Sequence, residues 1–415
     1  MNDINKNFDN LQEKIDRLDA NPLFQLSLGS KELFHSNLLA WVIGQKYQQK
    51  FVVEFLNALL INDSIESVTE YPEREKMNID LRFTVKLKDD NEKIIIIENK
   101  VKSLPYRKQL EEYKEKVTKV QKNGCKPSFY LLSLVEPSKD VVPDEWKLIR
   151  YDKVAKAITE NLGKIESEDT SFISLRCLLN TYCDYISQLH DIAEARLKIT
   201  KPEDEYFYPI KTRNDFEKVR LHDLYLKYRY QQVKDFIKES IEKQRLTIVK
   251  KKEDLKEVES NPLVMLSSGF SKSNGKIDFK YLSSYNDRGV NIAFCLQLHG
   301  NQLRFALEYI LNKDISHALS EELHKYAHEL FNTKKWMRMP TGIGLKGCLS
   351  FDGEPLGKAR SSSKYDEERF FCKFGSAFLY KYYKIPDEVK VQDVVQLFTA
   401  VCTYLDNENL LNALK

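Results

Sequence analysis

The sequence predicts an α/β (α+β) protein, with helices around a mixed central sheet followed by a second, mixed α/β domain. Three observations carry this. The apolar period changes from helical to alternating after about residue 60 and returns to helical near residue 150. Ile94–Ile97 is an unbroken apolar run of the kind found in a buried strand. Thr200–Pro209 holds two prolines and a charge cluster, the composition of a domain boundary. The chain of 415 residues is long enough for two domains or three, and the expected division is 1–200 and 201–415.

The elements follow in order. Asn7–Leu18, Glu32–Ile43 and Phe51–Leu60 carry apolar residues at helical spacing. Ser64–Glu70, Ile79–Leu87 and Lys93–Val101 are the expected strands. Pro105 then opens a helix to about Gln121, at a position where its missing N–H costs nothing. Ser128–Val135 is a fourth strand, and helices run from Asp152 to about Lys198. Beyond the boundary, a long charged helix is expected over Asp215–Gln244. Lys276–Ser284, Val290–Leu298 and Gln302–Leu311 read as antiparallel strands. Helices are expected over Ser316–Phe331, Arg369–Tyr383 and Val391–Asp406.

Composition excludes several classes. Lys plus Arg is 65 against 62 Asp plus Glu, a formal charge of +3, so the whole chain is neither a strongly basic nucleic-acid binder nor an acidic disordered tail. A local basic groove stays open. No apolar run approaches the roughly 20 residues of a transmembrane helix, and Met1–Lys6 is polar, unlike a signal peptide. The seven cysteines are scattered without a CxxC pair, which fits buried thiols in a reducing compartment rather than a disulfide framework. The expectation is a cytoplasmic protein with no membrane partner.

The chemistry concentrates on the first sheet. In Ile79–Leu87 the pleat puts Ile79, Leu81, Phe83, Val85 and Leu87 on one face and Asp80, Arg82, Thr84 and Lys86 on the other. Lys88–Asn91 is the strong turn cluster between this strand and the next. A hairpin centred on Asp89 sets position 80 opposite position 98. Directly opposed residues share a face, with Cβ atoms about 5 Å apart. Two carboxylates that close repel unless one is protonated or a cation lies between them, and a hard divalent cation suits oxygen ligands. Lys100, one pleat beyond Glu98, reaches the same side, while the Asn99 side chain points the other way. Such a set suits in-line hydrolysis of a phosphodiester. The plainer alternative is a solvated salt-bridge cluster, which the preceding isoleucine run disfavours.

Asp80 with Glu98-Asn99-Lys100 resembles the PD-(D/E)XK nuclease superfamily, and the order helix, three strands, helix, strand is similar to its restriction-endonuclease-like core. Gln109-Leu110-Glu111-Glu112-Tyr113 looks like the QxxxY motif of the RecB-like branch. Glu32–Trp41 resembles a helical signature of a prokaryotic branch of the superfamily. Ile79 stands where the motif has its proline. The resemblance spans roughly residues 25–190. It implies Asp80 and Glu98 as metal ligands with the Asn99 carbonyl as a third, Lys100 positioning or activating the water, Glu32 near the metal, and Gln109 and Tyr113 lining the site. The implied cofactor is Mg²⁺ or Mn²⁺. The implied activity is nuclease action on nucleic acid, DNA favoured over RNA, in prokaryotic defence against foreign DNA. The second domain would recognise substrate or partner, and a homo-oligomer or a partner subunit could complete the groove. The alternative is a nucleic-acid-binding or assembly protein that keeps the fold without turnover.

Other features have plainer readings. Glu32 could simply favour its helix N-terminus, His35 fits a satisfied core histidine, and Tyr113 shares an apolar stripe with Tyr106, Leu110, Val117 and Val120. Gly342–Gly347 fits GxGxxG but lacks the strand and helix that a dinucleotide site needs. His324 and His328 lack the glutamate of a zinc protease. Lys334–Arg338, basic with one aromatic, reads as a surface loop.

Overall fold

The computed structural model describes residues 2–27, 32–60, 64–119, 126–165, 170–244, 248–249, 263–271, 273–282, 291–310, 365–366, 371–374 and 378–407. Two compact units emerge. One holds Met1–Lys198 and Arg213–Tyr228, the other Ile199–Thr212 and Arg229–Lys415.

The first unit opens with helices α1 (Asn2–Asp19), α2 (Pro22–Leu26), α3 (Glu32–Ile43) and α4 (Gln49–Leu59). Asn21 caps α2, its Oδ1 accepting from the backbone of Leu23 at 2.9 Å and Phe24 at 3.4 Å, while Pro22 fills the first turn. Strands β1 (Ile65–Arg74), β2 (Leu81–Leu87) and β3 (Glu92–Lys100) follow. Next come α5 (Arg107–Lys119), β4 (Lys126–Ser133), β5 (Trp146–Arg150), α6 (Tyr151–Leu162) and α7 (Thr170–Arg196). The five strands form one sheet in the order β1-β2-β3-β4-β5. β1, β2 and β3 pair antiparallel, and β3, β4 and β5 pair parallel.

β3 lies at the centre, which accounts for its four isoleucines: all are buried. Ile94 and Ile96 join Ile79, Leu110, Tyr113, Val117, Phe129, Leu131 and Trp146 in one core against α5. The β2–β3 turn sits where Asp89 to Asn91 place it, with Leu87 N–H bonded to Asn91 O at 2.8 Å and Asp90 in the left-handed region. The register runs from Lys86↔Glu92 to Leu81↔Ile97, as a hairpin centred on Asp89 requires.

Three sequence expectations are corrected. A short fifth strand, β5, precedes the helix expected from Asp152; its burial pattern lacks clean alternation. The single helix expected over Asp215–Gln244 is two, α8 (Ile210–Lys218) and α9 (His222–Lys243). They break where Arg220 takes φ of 57°, outside the helical region. The helix expected over Arg369–Tyr383 is instead two strands, Phe371–Phe374 and Phe378–Lys384, consistent with the strand preference of their Phe and Tyr residues.

In the second unit β6 (Ile248–Val249), β7 (Leu263–Ser271), β8 (Asn274–Leu282), β9 (Asn291–His299), β10 (Gln302–Ile310), β11 (Tyr365–Asp366), β12 (Phe371–Phe374) and β13 (Phe378–Lys384) form an eight-stranded sheet. Its order is β11-β12-β13-β10-β9-β8-β7-β6. All neighbours are antiparallel except β6 and β7. One face is apolar, including Ile277, Phe279, Phe294, Leu296, Leu303 and Phe305. Phe279 meets Phe398 of α10 (Val391–Asn407) edge-on, with ring centroids 6.1 Å apart. The other face carries a second apolar cluster of Ala293, Cys295, Ala306, Cys372 and Tyr380, beside the polar Gln297 and Arg304. The helix expected over Ser316–Phe331, the Gly342–Gly347 loop, His324, His328 and Lys334–Arg338 lie outside the described residues. Among the described residues no helix is long and apolar enough to cross a membrane.

Tyr230 donates its hydroxyl to Gly300 O at 2.5 Å, and its ring lies against Gly275, where an added Cβ would stand 2.3 Å from it. Gly275→Ala is expected to lower stability by about 1–3 kcal/mol, measured as a shift in the urea midpoint of the full chain.

Candidate active site

The hairpin register carries the two acids together. Leu81 pairs with Ile97 at the end of the β2–β3 ladder, so Asp80 stands opposite Glu98. Asp80 precedes the strand proper and is held by its side chain: its Oδ2 accepts the Asn99 backbone N–H at 2.7 Å. Glu98 is 2% exposed. Its Oε1 accepts from Lys100 Nζ at 2.8 Å and from Gln109 Nε2 at 3.2 Å, whereas its Oε2 is buried and meets no N–H or O–H donor among the described residues. When one of the two acids is protonated, the Asp80 and Glu98 carboxyls hydrogen-bond each other. Gln109 also donates to the Tyr113 hydroxyl at 2.7 Å. The two residues lie one turn apart on α5. Tyr113 is at once part of the α5 core and a neighbour of the acids.

Electrostatics follow from this burial. The Glu98 carboxyl is pushed up from an ordinary 4.5 to about 8, first by burial and then by the Asp80 charge. Asp80 is also raised, chiefly by burial, against the lowering effect of the Asn99 N–H and Lys100. Burial alone would favour neutral Lys100, but Glu98 when ionised, with the Glu32 and Asp80 charges, outweighs this and holds its pKa above the ordinary lysine value. Lys100 is therefore a cation at neutral pH. Burial and the Glu98 charge raise Tyr113 as well.

Glu32 and Asn99 fasten the same strand end from the other side. The Oε1 of Glu32 accepts from three consecutive backbone N–H groups, Val101, Lys102 and Ser103, at 3.0–3.1 Å, and from Ser103 Oγ at 2.7 Å. Its charge still acts on Asp80 and Lys100, while that oxygen is taken up by the chain after β3. Lys100 O accepts from Leu134 N–H on the β4 side. By strand alternation the N–H and C=O of Asn99 therefore face the β2 edge, where the N–H meets Asp80. The Asn99 side chain is buried on the opposite face, as its alternation requires.

Three participants were not singled out from the sequence, although Ser36 lies within the Glu32–Trp41 signature. Tyr151 and Ser36 bond Asn99, far from it in the chain. Ser133, in register with Lys100, has a buried Oγ with no hydrogen-bond partner among the described residues. His35 is fully buried, with Nδ1 3.0 Å from the Tyr182 hydroxyl. Burial, then the Lys102 charge, lower its pKa to about 3, so it is a neutral core group at physiological pH.

Among the described residues no group of three or more His, Cys, Asp or Glu is placed to hold a metal ion. The acids that converge are two, Asp80 and Glu98. A paired, buried and mutually repelling set of this kind with an orphaned carboxylate oxygen fits a hard divalent cation, which needs only one or two protein carboxylates.

Fold and site together define an acid–lysine centre at the end of a central strand on a mixed α/β scaffold. Residues 20–184 match the model of the PD-(D/E)XK nuclease superfamily, so this segment is similar to that superfamily. No curated protein and no solved structure matches the chain. The superfamily implies hydrolysis of nucleic acid.

In metal-free protein the folded state keeps a Glu98 proton that the unfolded chain gives up near pH 4.5. Stability is therefore full below that pH and declines as pH rises towards about 8. Thermal melts in EDTA are expected to show a midpoint that falls between about pH 5 and pH 8, with a smaller fall in Glu98→Gln.

Proposed function

We propose that this chain is a metal-dependent nuclease that hydrolyses phosphodiester bonds, with DNA as the favoured substrate and Asp80, Glu98 and Lys100 at its centre. The observation that carries the reading is the convergence of Asp80, Glu98, Lys100 and Gln109 at one strand end, with Glu98 Oε2 buried and met by no N–H or O–H donor among the described residues. Asp80, Glu98 and the Asn99 carbonyl would hold Mg²⁺ or Mn²⁺, which when bound polarises a phosphoryl oxygen and acidifies a water. Lys100, held cationic by Glu98, would orient the attacking water and offset charge on the phosphorane; it is a poor proton acceptor in that state. Gln109 restrains the Glu98 carboxylate, and Tyr113 restrains Gln109. Glu32 contributes its charge beside the pair while its Oε1 secures the chain after Lys100.

The remaining parts of the proposal rest on resemblance and composition. Residues 1–200 would carry the chemistry, and residues 201–415 would recognise substrate or partner. The near-balanced charge of +3 favours a local groove, completed by a second copy or a partner subunit. The five cysteines described are free thiols, in keeping with a cytoplasmic setting, and defence against foreign DNA is the role the family resemblance favours.

Purified protein is expected to cut DNA with Mg²⁺ or Mn²⁺ and to stop in EDTA. Asp80→Asn, Glu98→Gln and Lys100→Ala should each lower the rate by about a hundredfold or more. Linear, circular and single-stranded DNA and RNA assayed side by side separate substrate and cutting mode. Metal-dependent cutting that survives all three substitutions would place the activity elsewhere. Binding without cutting under every condition would favour a non-cleaving, nucleic-acid-binding scaffold.

A further inference from the structure

We infer that the buried side-chain amide of Asn99, held by Tyr151, is a positioning device for the acid pair, so that Tyr151 tunes cation affinity and turnover without touching either. The inference rests on the reading of Asp80 and Glu98 as a cation site.

Position 99 lies between the two functional residues of β3 and projects to the opposite face, as Ile95 and Ile97 do. Either neighbour shows what packing alone would select there. The chain instead buries an amide at 0% exposure, which is costly for any polar group left unpaired. Here the amide is fully paired. Nδ2 donates to Glu32 O at 2.9 Å and to Ser36 Oγ at 3.2 Å, and Oδ1 accepts the Tyr151 hydroxyl at 2.6 Å. Tyr151 is the first residue of α6 and is itself buried. Helices α3 and α6 thus fix the plane of one amide from the far side of the sheet.

That amide has a direct route to the acids. The backbone N–H of the same residue holds Asp80 Oδ2 at 2.7 Å. Asp80 precedes β2 and has no place in the β2–β3 ladder, so this bond sets its carboxylate. The peptide units on either side of Asn99 also set the directions of Glu98 and Lys100. Fixing the odd residue on one face therefore fixes the two even residues on the other. Partners of this outer kind typically change metal affinity by 10–100-fold when removed.

Tyr151→Phe, which deletes one oxygen, tests the relay. The control is Tyr185→Phe. Its hydroxyl lies 3.0 Å from Ser27 Oγ, and its ring, like that of Tyr151, packs on His35. Mn²⁺ is the probe, titrated calorimetrically into the full chain, alongside kcat and KM on DNA. Tyr151→Phe should weaken Mn²⁺ binding by about tenfold or more and lower kcat while leaving KM for DNA little changed. Tyr185→Phe should lower the melting temperature and keep Mn²⁺ affinity. If Tyr151→Phe fails to fold, Ser36→Ala, which removes a second partner of the amide, should weaken Mn²⁺ binding in the same direction. Wild-type Mn²⁺ affinity in Tyr151→Phe, or in Ser36→Ala where that variant stands in, would overturn the relay and leave the nuclease reading intact. A wild-type chain that binds no Mn²⁺ would overturn both.

Discussion

One constraint organises the first unit: a hairpin register that sets two carboxylates against each other at a buried strand end. A turn at Asp89 to Asn91 makes positions 80 and 98 partners, and the isoleucines before Glu98 draw the strand into the core. Carboxylates so placed cannot both ionise cheaply, and the rise of both pKa values expresses that cost. Folding free energy is surrendered to keep the pair there.

The surrounding contacts are arranged to keep the cost bearable and the geometry fixed. Lys100 and Gln109 share one oxygen of Glu98 and leave the other without a donor among the described residues. On the far side, Glu32 ties down the chain after Lys100, and Asn99 ties α3 and α6 to the strand. Stability comes from the apolar layers, with α5 over one face of the sheet. The polar groups spend part of that stability on holding charges in place, the usual compromise of a functional site.

Much of this was legible because it is local. The turn chemistry and the two-residue period fix the 80/98 pairing within one hairpin, and the Gln109 to Tyr113 spacing fixes a helical neighbour. Contacts between distant segments were not legible. Nothing at Tyr151 marks it as the partner of Asn99, 52 positions away, and nothing at Glu32 shows that its Oε1 would turn to backbone N–H groups rather than stand open. Elsewhere the aromatic segments Phe371–Phe374 and Phe378–Lys384 suit either periodicity until pairing of β13 with β10, and of β12 with β13, selects the strand. Similarly, the break at Arg220 is a backbone choice that the charged pattern of the helix conceals.

The acid pair as a cation site is tested most directly by counting protons. Mn²⁺ titrated into the wild-type chain near neutral pH, in buffers of different ionisation enthalpy, should bind saturably and release protons, because the cation displaces those retained by the raised carboxyls. Glu98→Gln should bind more weakly and release fewer. Absence of saturable binding, or a proton count unchanged by Glu98→Gln, would contradict the assignment.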